Sequence, residues 1–372
     1  MASPEILDFA KLLAAVPGDK PTGSDLRADT SPLADYYAIR DARKLASTAE
    51  RRIDKGEDKG PDKVEPPDWR PILERATTVL ATKSKDLEIN AYLIEALVRL
   101  KGFPGLRDGF RLAKELVERY WDGLYPVAQD GDTTETRFSH IFYLNGIEAP
   151  GTLIVPIRRI PLTEETSLGT FNLTHHQLAQ SLLQISDSKV RQKRIEEGAV
   201  TLEQLRKAVT ETPAKFYNDL VADLKESAEE FRLFCDALSA KTGYDPPAAD
   251  LRQVLETYLD VVKDLARDKL EKAPVPGTSP KTNVSTGEPA TAPQVVNPSI
   301  IKDRNDAFER LRKIADYFRE QEPQSIIPYA LEQVAIWGKM PLPELLSELI
   351  PEEAARKNFF KQVGIKPPDP KK

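Results

Sequence analysis

The chain has 372 residues, 40% of them hydrophobic and 30% charged, the balance of a folded protein with room for two or three domains. Its 53 basic and 59 acidic residues leave a formal charge of -6, which excludes a global field for recruiting nucleic acid or anionic lipid. A single cysteine, Cys235, excludes an intrachain disulfide and a thiolate metal cluster within one chain; its helix-like apolar neighbours predict a buried thiol.

In chain order, SPEILDFAKLLAAV carries Asp8 and Lys11 inside its apolar pattern, so it lacks the basic start and unbroken apolar core of a signal peptide. No segment approaches the roughly 18 to 20 apolar residues of a membrane span, and the expected location is the cytoplasm. DKGEDKGPDKVEPPD, residues 54–68, alternates charges with Gly and Pro and reads as a surface loop. In SKDLEINAYLIEALVRLKG, Leu87, Ile94, Leu97 and Val98 recur at helical spacing, with Ser84 or Asp86 available as cap and Gly102 as stop. FPGLRDGFRLAKELVERYWDG follows, with Pro104 in a first turn and Leu106, Phe110, Ala113, Leu116 or Val117, and Tyr120 in one apolar stripe. Two helices joined this tightly form an antiparallel pair.

The next stretch, YWDGLYPVAQDGDTTETRFSH (120–140), gathers acids, aromatics and a histidine and has to be tested as an active site. A calcium loop starting at Asp130 needs an acid or amide fifth, glycine sixth and glutamate twelfth; the chain has Thr134, Glu135 and Ile141 there. Helix punctuation fits better. Asp122 and Gly123 end one helix, Pro126 prevents continuation, Asp132 caps the next with Glu135 as capping-box partner, and Phe138, Ile141 and Phe142 form its buried face.

GTLIVPIRRIPL, near residue 150, has the β-branched content of a short strand, confined by Pro156 and Pro161 to an edge or extended connector. Helices then resume. Thr201 with Gln204 starts one by a capping box, and Thr212 before Pro213 starts another carrying Phe216, Leu220, Leu224, Phe231 and Leu238 to Gly243. A further helix carries Leu251, Leu255, Tyr258, Val262 and Leu265. Residues 273–299 are rich in proline and lack any aromatic, leucine or isoleucine, as expected of a tether. Beyond it, RNDAFERLRKIADYFRE, SIIPYALEQVAIWG and LPELLSELIP predict three short helices closed by Pro323, Gly338 and Pro351. No 34-residue repeat is visible.

Positive signs of catalysis are missing. His175 and His176 are adjacent and so point about 100° apart on a helix, whereas zinc pairs on one helix need i, i+4 spacing. HExxH, Walker, GxGxxG and GxSxG motifs do not occur, and the basic run KVRQKR has no interleaved aromatics for stacking bases. The reading is that of a protein without enzymatic activity, cofactor or bound metal.

Three blocks carry a resemblance: PTGSDLRAD at 21–29; the run from DWRPILERA through SKDL, GFPGL and YWDGLYP to DGDTTETRFSHIFYLNG, residues 68–146; and YFREQEPQSIIPYALEQVAIWGKMPLPELLSELIP at 317–351. With them the chain resembles the ImpA-related (TssA) components of type VI secretion systems, and its moderate length is similar to the shorter, baseplate-associated kind. ADTSP at 28–32 and a long charged loop at 54–67 depart from the usual pattern. The resemblance implies a mainly α fold: an ImpA-type N-terminal domain (1–173), a long-helix middle domain (174–272), a flexible linker (273–299) and a small C-terminal oligomerisation domain (300–372). It implies a non-catalytic assembly factor that forms a ring of roughly six-fold symmetry and meets baseplate, sheath, tail-tube and membrane-complex proteins, without nucleic acid or membrane insertion. Tyr317, Phe318, Trp337, Leu345 and Leu346 are the candidate oligomerisation residues. Asp86, Trp121, Asp122, Gly123 and Asp132 are a signature with a mainly structural role.

Two competitors remain. A general monomeric helical adaptor would bind peptides or partner helices without self-assembly. A helical metal hydrolase would need His140, His175 or His176 to meet acids with ligand geometry.

Overall fold

The structure, a computed structural model, describes residues 2–31, 34–57, 64–128, 130–270, 304–321, 326–338 and 340–349. Its described elements are helices, with only isolated bridges between extended residues. Contacts divide the chain into two compact units, 1–279 and 280–372. The tether expected at 273–299 lies outside the described residues.

In the first unit the elements are α1 (Phe9–Leu12), α2 (Asp35–Asp54), α3 (Arg70–Thr82), α4 (Leu87–Tyr120), α5 (Thr134–Arg137), α6 (Ser139–Asn145), α7 (Ile154–Arg159), α8 (Leu173–Leu183), α9 (Ser188–Glu196), α10 (Leu202–Glu211), α11 (Ala214–Thr242), α12 (Ala249–Leu265) and α13 (Arg267–Leu270). α4 is its axis. Gly102, at φ 62° and ψ -140°, breaks the helix and reverses it, as the Gly-Phe-Pro sequence predicts. The returning half lies close against the first: a Cβ on Gly109 would sit 2.7 Å from Ile94 Cγ1. The Asn90 side-chain amide donates to the Gly109 carbonyl at 3.3 Å. Glycine is therefore required at 109 for proximity and at 102 for backbone conformation.

Around this hairpin α3 and α2 pack on one side and α11 lies along the other, joined by α12. Phe110 meets Phe231 and Phe234, and Phe103 meets Tyr258 edge-on at 4.9 Å. This core explains why the chain does not part at 173/174 as expected. α11 belongs to the expected middle domain, yet its apolar face is buried against α4, so residues before and after that boundary share one interior.

The N-terminal segment adds a polar seam to the same joint. Asp223 of α11 accepts from the Ser3 amide at 2.7 Å and the Ser3 hydroxyl at 2.6 Å. Asp108 of α4 accepts from the Leu7 amide, and Arg107 donates to Asp108 and to the carbonyls of Ser3 and Pro4. Arg107, Asp108 and Asp223 are buried, so their pairing is what makes the burial tolerable.

Helix signals were mostly legible. Thr201 and Gln204 form the expected capping box, and Gly243, at φ 67°, ends α11. Two expectations fail. Thr212 does not cap α11; it is the buried C-cap of α10, its hydroxyl donating to Ala208, and Pro213 precedes α11. The expected strand in GTLIVPIRRIPL is instead α7, with Leu153 and Ile157 fully buried. Burial on one face of a short turn outweighs β-branched propensity there.

In the second unit α14 (Arg304–Gln321), α15 (Ile327–Trp337) and α16 (Leu342–Leu349) are the described helices, and α14 packs on α15. Ala315 and Ala335 are buried, and Gly338 admits the Phe308 ring so closely that a Cβ would collide with it.

Candidate assembly site

Two of the sequence blocks that stood out separately, 21–29 and 68–146, meet in space. The Lys85 amide donates to the Thr22 carbonyl at 2.9 Å, the Ser24 amide to Lys83, the Tyr125 amide to Lys85 and the Leu87 amide to Tyr125. PTGSDL, SKDL and YWDGLYP are thus stitched main chain to main chain. Gly123 faces Thr22, where a Cβ would fall 2.7 Å from Oγ1. Leu124 and Tyr125 are buried, and the Tyr125 hydroxyl reaches the Gly23 carbonyl.

Charged side chains close this junction. Asp86 caps α4, accepting from the Glu88 and Ile89 amides at 2.9 and 3.2 Å. Arg27 donates to Asp86 at 2.7 Å and pairs with Glu88. The Tyr36 and Tyr92 hydroxyls donate to Glu88 at 2.9 and 2.6 Å, and His140 Nε2 lies 3.3 Å from it. Burial opposes the charge on Glu88, but His140, Arg27 and the Tyr92 hydroxyl outweigh it and hold the carboxyl below its usual range. Lys85 is fully buried beneath the junction, donating to the Leu12 and Leu80 carbonyls at 2.7 and 2.8 Å. Desolvation pulls its pKa down to about 8.

YWDGLYP therefore acts as a structural turn. Trp121–Gly123 is a 3-10 turn after α4; Trp121 is half-buried against Phe138, and Asp122 is exposed. The next helix start is displaced from the expectation: Thr133, rather than Asp132, caps α5, in a capping box with Thr136. Asp132 and Asp130 are exposed. Arg137, which sequence reading passed over, fixes the loop by donating to the Pro126 and Leu124 carbonyls at 2.7 and 3.1 Å with its guanidinium over Phe138. Nothing in the local pattern distinguishes it from a solvated arginine.

The histidines do not converge. His140 belongs to the Glu88 cluster, His175 closes a capping box with Asn172, and His176 is buried beside Gln180. Cys235 is buried in α11, where desolvation pushes its thiol up to about 12, away from thiolate chemistry.

In the second unit the five residues singled out fall in two settings. Tyr317 is 60% exposed, whereas Phe318, Trp337, Leu345 and Leu346 are half-buried. Ile326 and Tyr329, 81% and 69% exposed, extend the apolar surface beyond those five. Periodicity could not rank them, because in a unit this small the same side chains can face inward or toward a partner.

Comparison with known proteins follows the same map. Residues 13–146 match the family described as ImpA, N-terminal, type VI secretion system. Over 360 residues, 93% of this chain and 96% of the relative, the chain is 27% identical to the type VI secretion system component TssA1 of Pseudomonas aeruginosa. A solved structure, the N-terminal domain of the TssA component from Burkholderia cenocepacia that includes the conserved ImpA_N region, superposes with a TM-score of 0.59 at 26% identity. It covers 71% of this chain and 95% of its own. The junction of Arg27, Asp86 and Tyr125 lies inside the matched region, and over residues 13–146 the chain is similar to the ImpA N-terminal family of type VI secretion systems.

Proposed function

We propose that the chain is a non-catalytic, cytoplasmic assembly factor of the shorter, baseplate-associated kind, which forms a closed ring and coordinates baseplate, tail-tube and sheath proteins. The observation that carries the ring is the apolar surface of residues 304–349. Ile314, Tyr317, Ile326, Tyr329 and Ile336 are exposed on two of its short helices, more apolar surface than a small monomeric unit leaves in water. A ring uses a heterologous interface, one face of each subunit meeting a different face of the next. Membrane-complex partners are reached without insertion: among the described residues no helix is long and apolar enough to cross a bilayer.

The experiment is electron microscopy of the purified full chain. Closed rings with one subunit number are expected; a field of single chains at micromolar concentration overturns the proposal and favours a monomeric adaptor.

A further inference from the structure

α2 presents a basic ridge to solvent. Its Ile39 and Ala46 face the core, and on the opposite side Tyr37, Arg40, Lys44, Thr48 and Arg51, with Lys55 just past the helix end, follow three- and four-residue spacing. At about 100° per residue the four cations fall within about 60° of arc. Leu45, 73% exposed, borders them.

Some exposed cations of this unit are neutralised by neighbours: Arg52 by Glu57, Arg70 by Asp68, Lys83 by Asp35, Arg119 by Glu115, Arg232 by Glu229 and Asp236. The ridge is different. Arg51 donates to the Ser47 carbonyl and the Thr48 hydroxyl, both uncharged. Lys44 and Lys55 have no ion-pair partner among the described residues. Arg40 reaches only Asp41, at 3.4 Å, and lies 4.8 Å over the Tyr37 ring, which holds the guanidinium in place. Asp41, beside Arg40, is the one carboxylate among the described residues that pairs with any of these four cations.

We propose that this face docks an acidic segment of a partner protein, with carboxylates at helical spacing for Arg40, Lys44 and Arg51 and an apolar side chain for Leu45 and Tyr37. It rests on the reading of the protein as an assembly factor and supplies the chemistry of one of its contacts. Four cations on one helix, with an exposed leucine and a net charge of -6, suit a protein segment better than nucleic acid, whose binding needs a broader basic field. Charge sets orientation and encounter rate, and the covered leucine and tyrosine lengthen the contact.

The test titrates the full chain with a synthetic helical peptide of about 20 residues bearing glutamate at three- and four-residue spacing and one central leucine. Its lysine counterpart, poly(dT) and phosphatidylserine vesicles are run in parallel. The glutamate peptide alone binds, Arg40→Glu with Lys44→Glu weakens it at least about tenfold, and Leu45→Ala weakens it about threefold. The same charge change on α9, Lys189→Glu with Arg194→Glu, leaves binding unchanged. An equal loss from the α9 variant, no binding by the wild type, or DNA or vesicles binding as tightly as the peptide overturns the proposal. Light scattering on the same samples separates this from the ring: a monomeric chain that still binds the peptide contradicts the ring alone.

Discussion

Lys85 donates to the carbonyl of Leu12, 73 positions away, at 2.7 Å, and this bond fastens the N-terminal helix to the junction of SKDL and YWDGLYP. Its second acceptor is Leu80, and the Tyr120 ring lies 5.5 Å from the ammonium, but among the described residues no carboxylate pairs with it.

This side chain should therefore contribute a pH dependence to stability. Its pKa is about 8 when folded and about 10.4 when unfolded. Between those values the unfolded chain binds more protons, so stability rises with pH across that window, by about 3 kcal/mol at most. Below pH 8 the cost of burying the charge is present in full. Denaturant titrations at pH 7.5 and 10 should show this rise in the wild type and lose it in Lys85→Met. Equal pH dependence in both proteins would refute the assignment.

Arg27 sits between two buried carboxylates, Asp86 and Glu88. Replacing it by methionine strands both and should cost about 3 to 5 kcal/mol. Arg27→Lys should recover only part of the loss, since an ammonium cannot reproduce the fork. Urea melts read both; a loss below about 1 kcal/mol for Arg27→Met would show that the network contributes little.

The displaced cap gives a smaller, directional prediction. Thr133→Ala should destabilise by about 0.5 to 2 kcal/mol and Asp132→Ala by less, the reverse of the order expected from the sequence. Thermal melts of the two variants decide between them.

Those cases show what a single sequence carries. Asp86, Gly102 and Gly243 announce helix ends because capping and backbone conformation are local requirements, and Phe138, Ile141 and Phe142 announce a buried face by spacing. Lys85, Arg137 and Asp223 announce nothing, since their partners come from distant segments. The same limit hid the union of α4 with α11: each has its own apolar stripe, and the pattern does not say that one covers the other. PTGSDL, SKDL and YWDGLYP were visible, but their meeting point was not.

Asp223 holds Ser3 to α11 and contacts Arg107. In Asp223→Ala the amides of Ser3, Ile6 and Leu7 should exchange with solvent at least about tenfold faster, with a stability loss of about 3 kcal/mol. Hydrogen exchange followed by mass spectrometry checks this. Unchanged protection of the first seven residues would mean that apolar contacts alone hold the segment.

The central claim, self-assembly through residues 304–349, is tested most directly by light scattering of the full chain beside residues 1–272. The account predicts a single closed oligomer for the full chain and monomers for the truncated one. A monomeric full chain, or an oligomer that survives removal of the C-terminal unit, would contradict it.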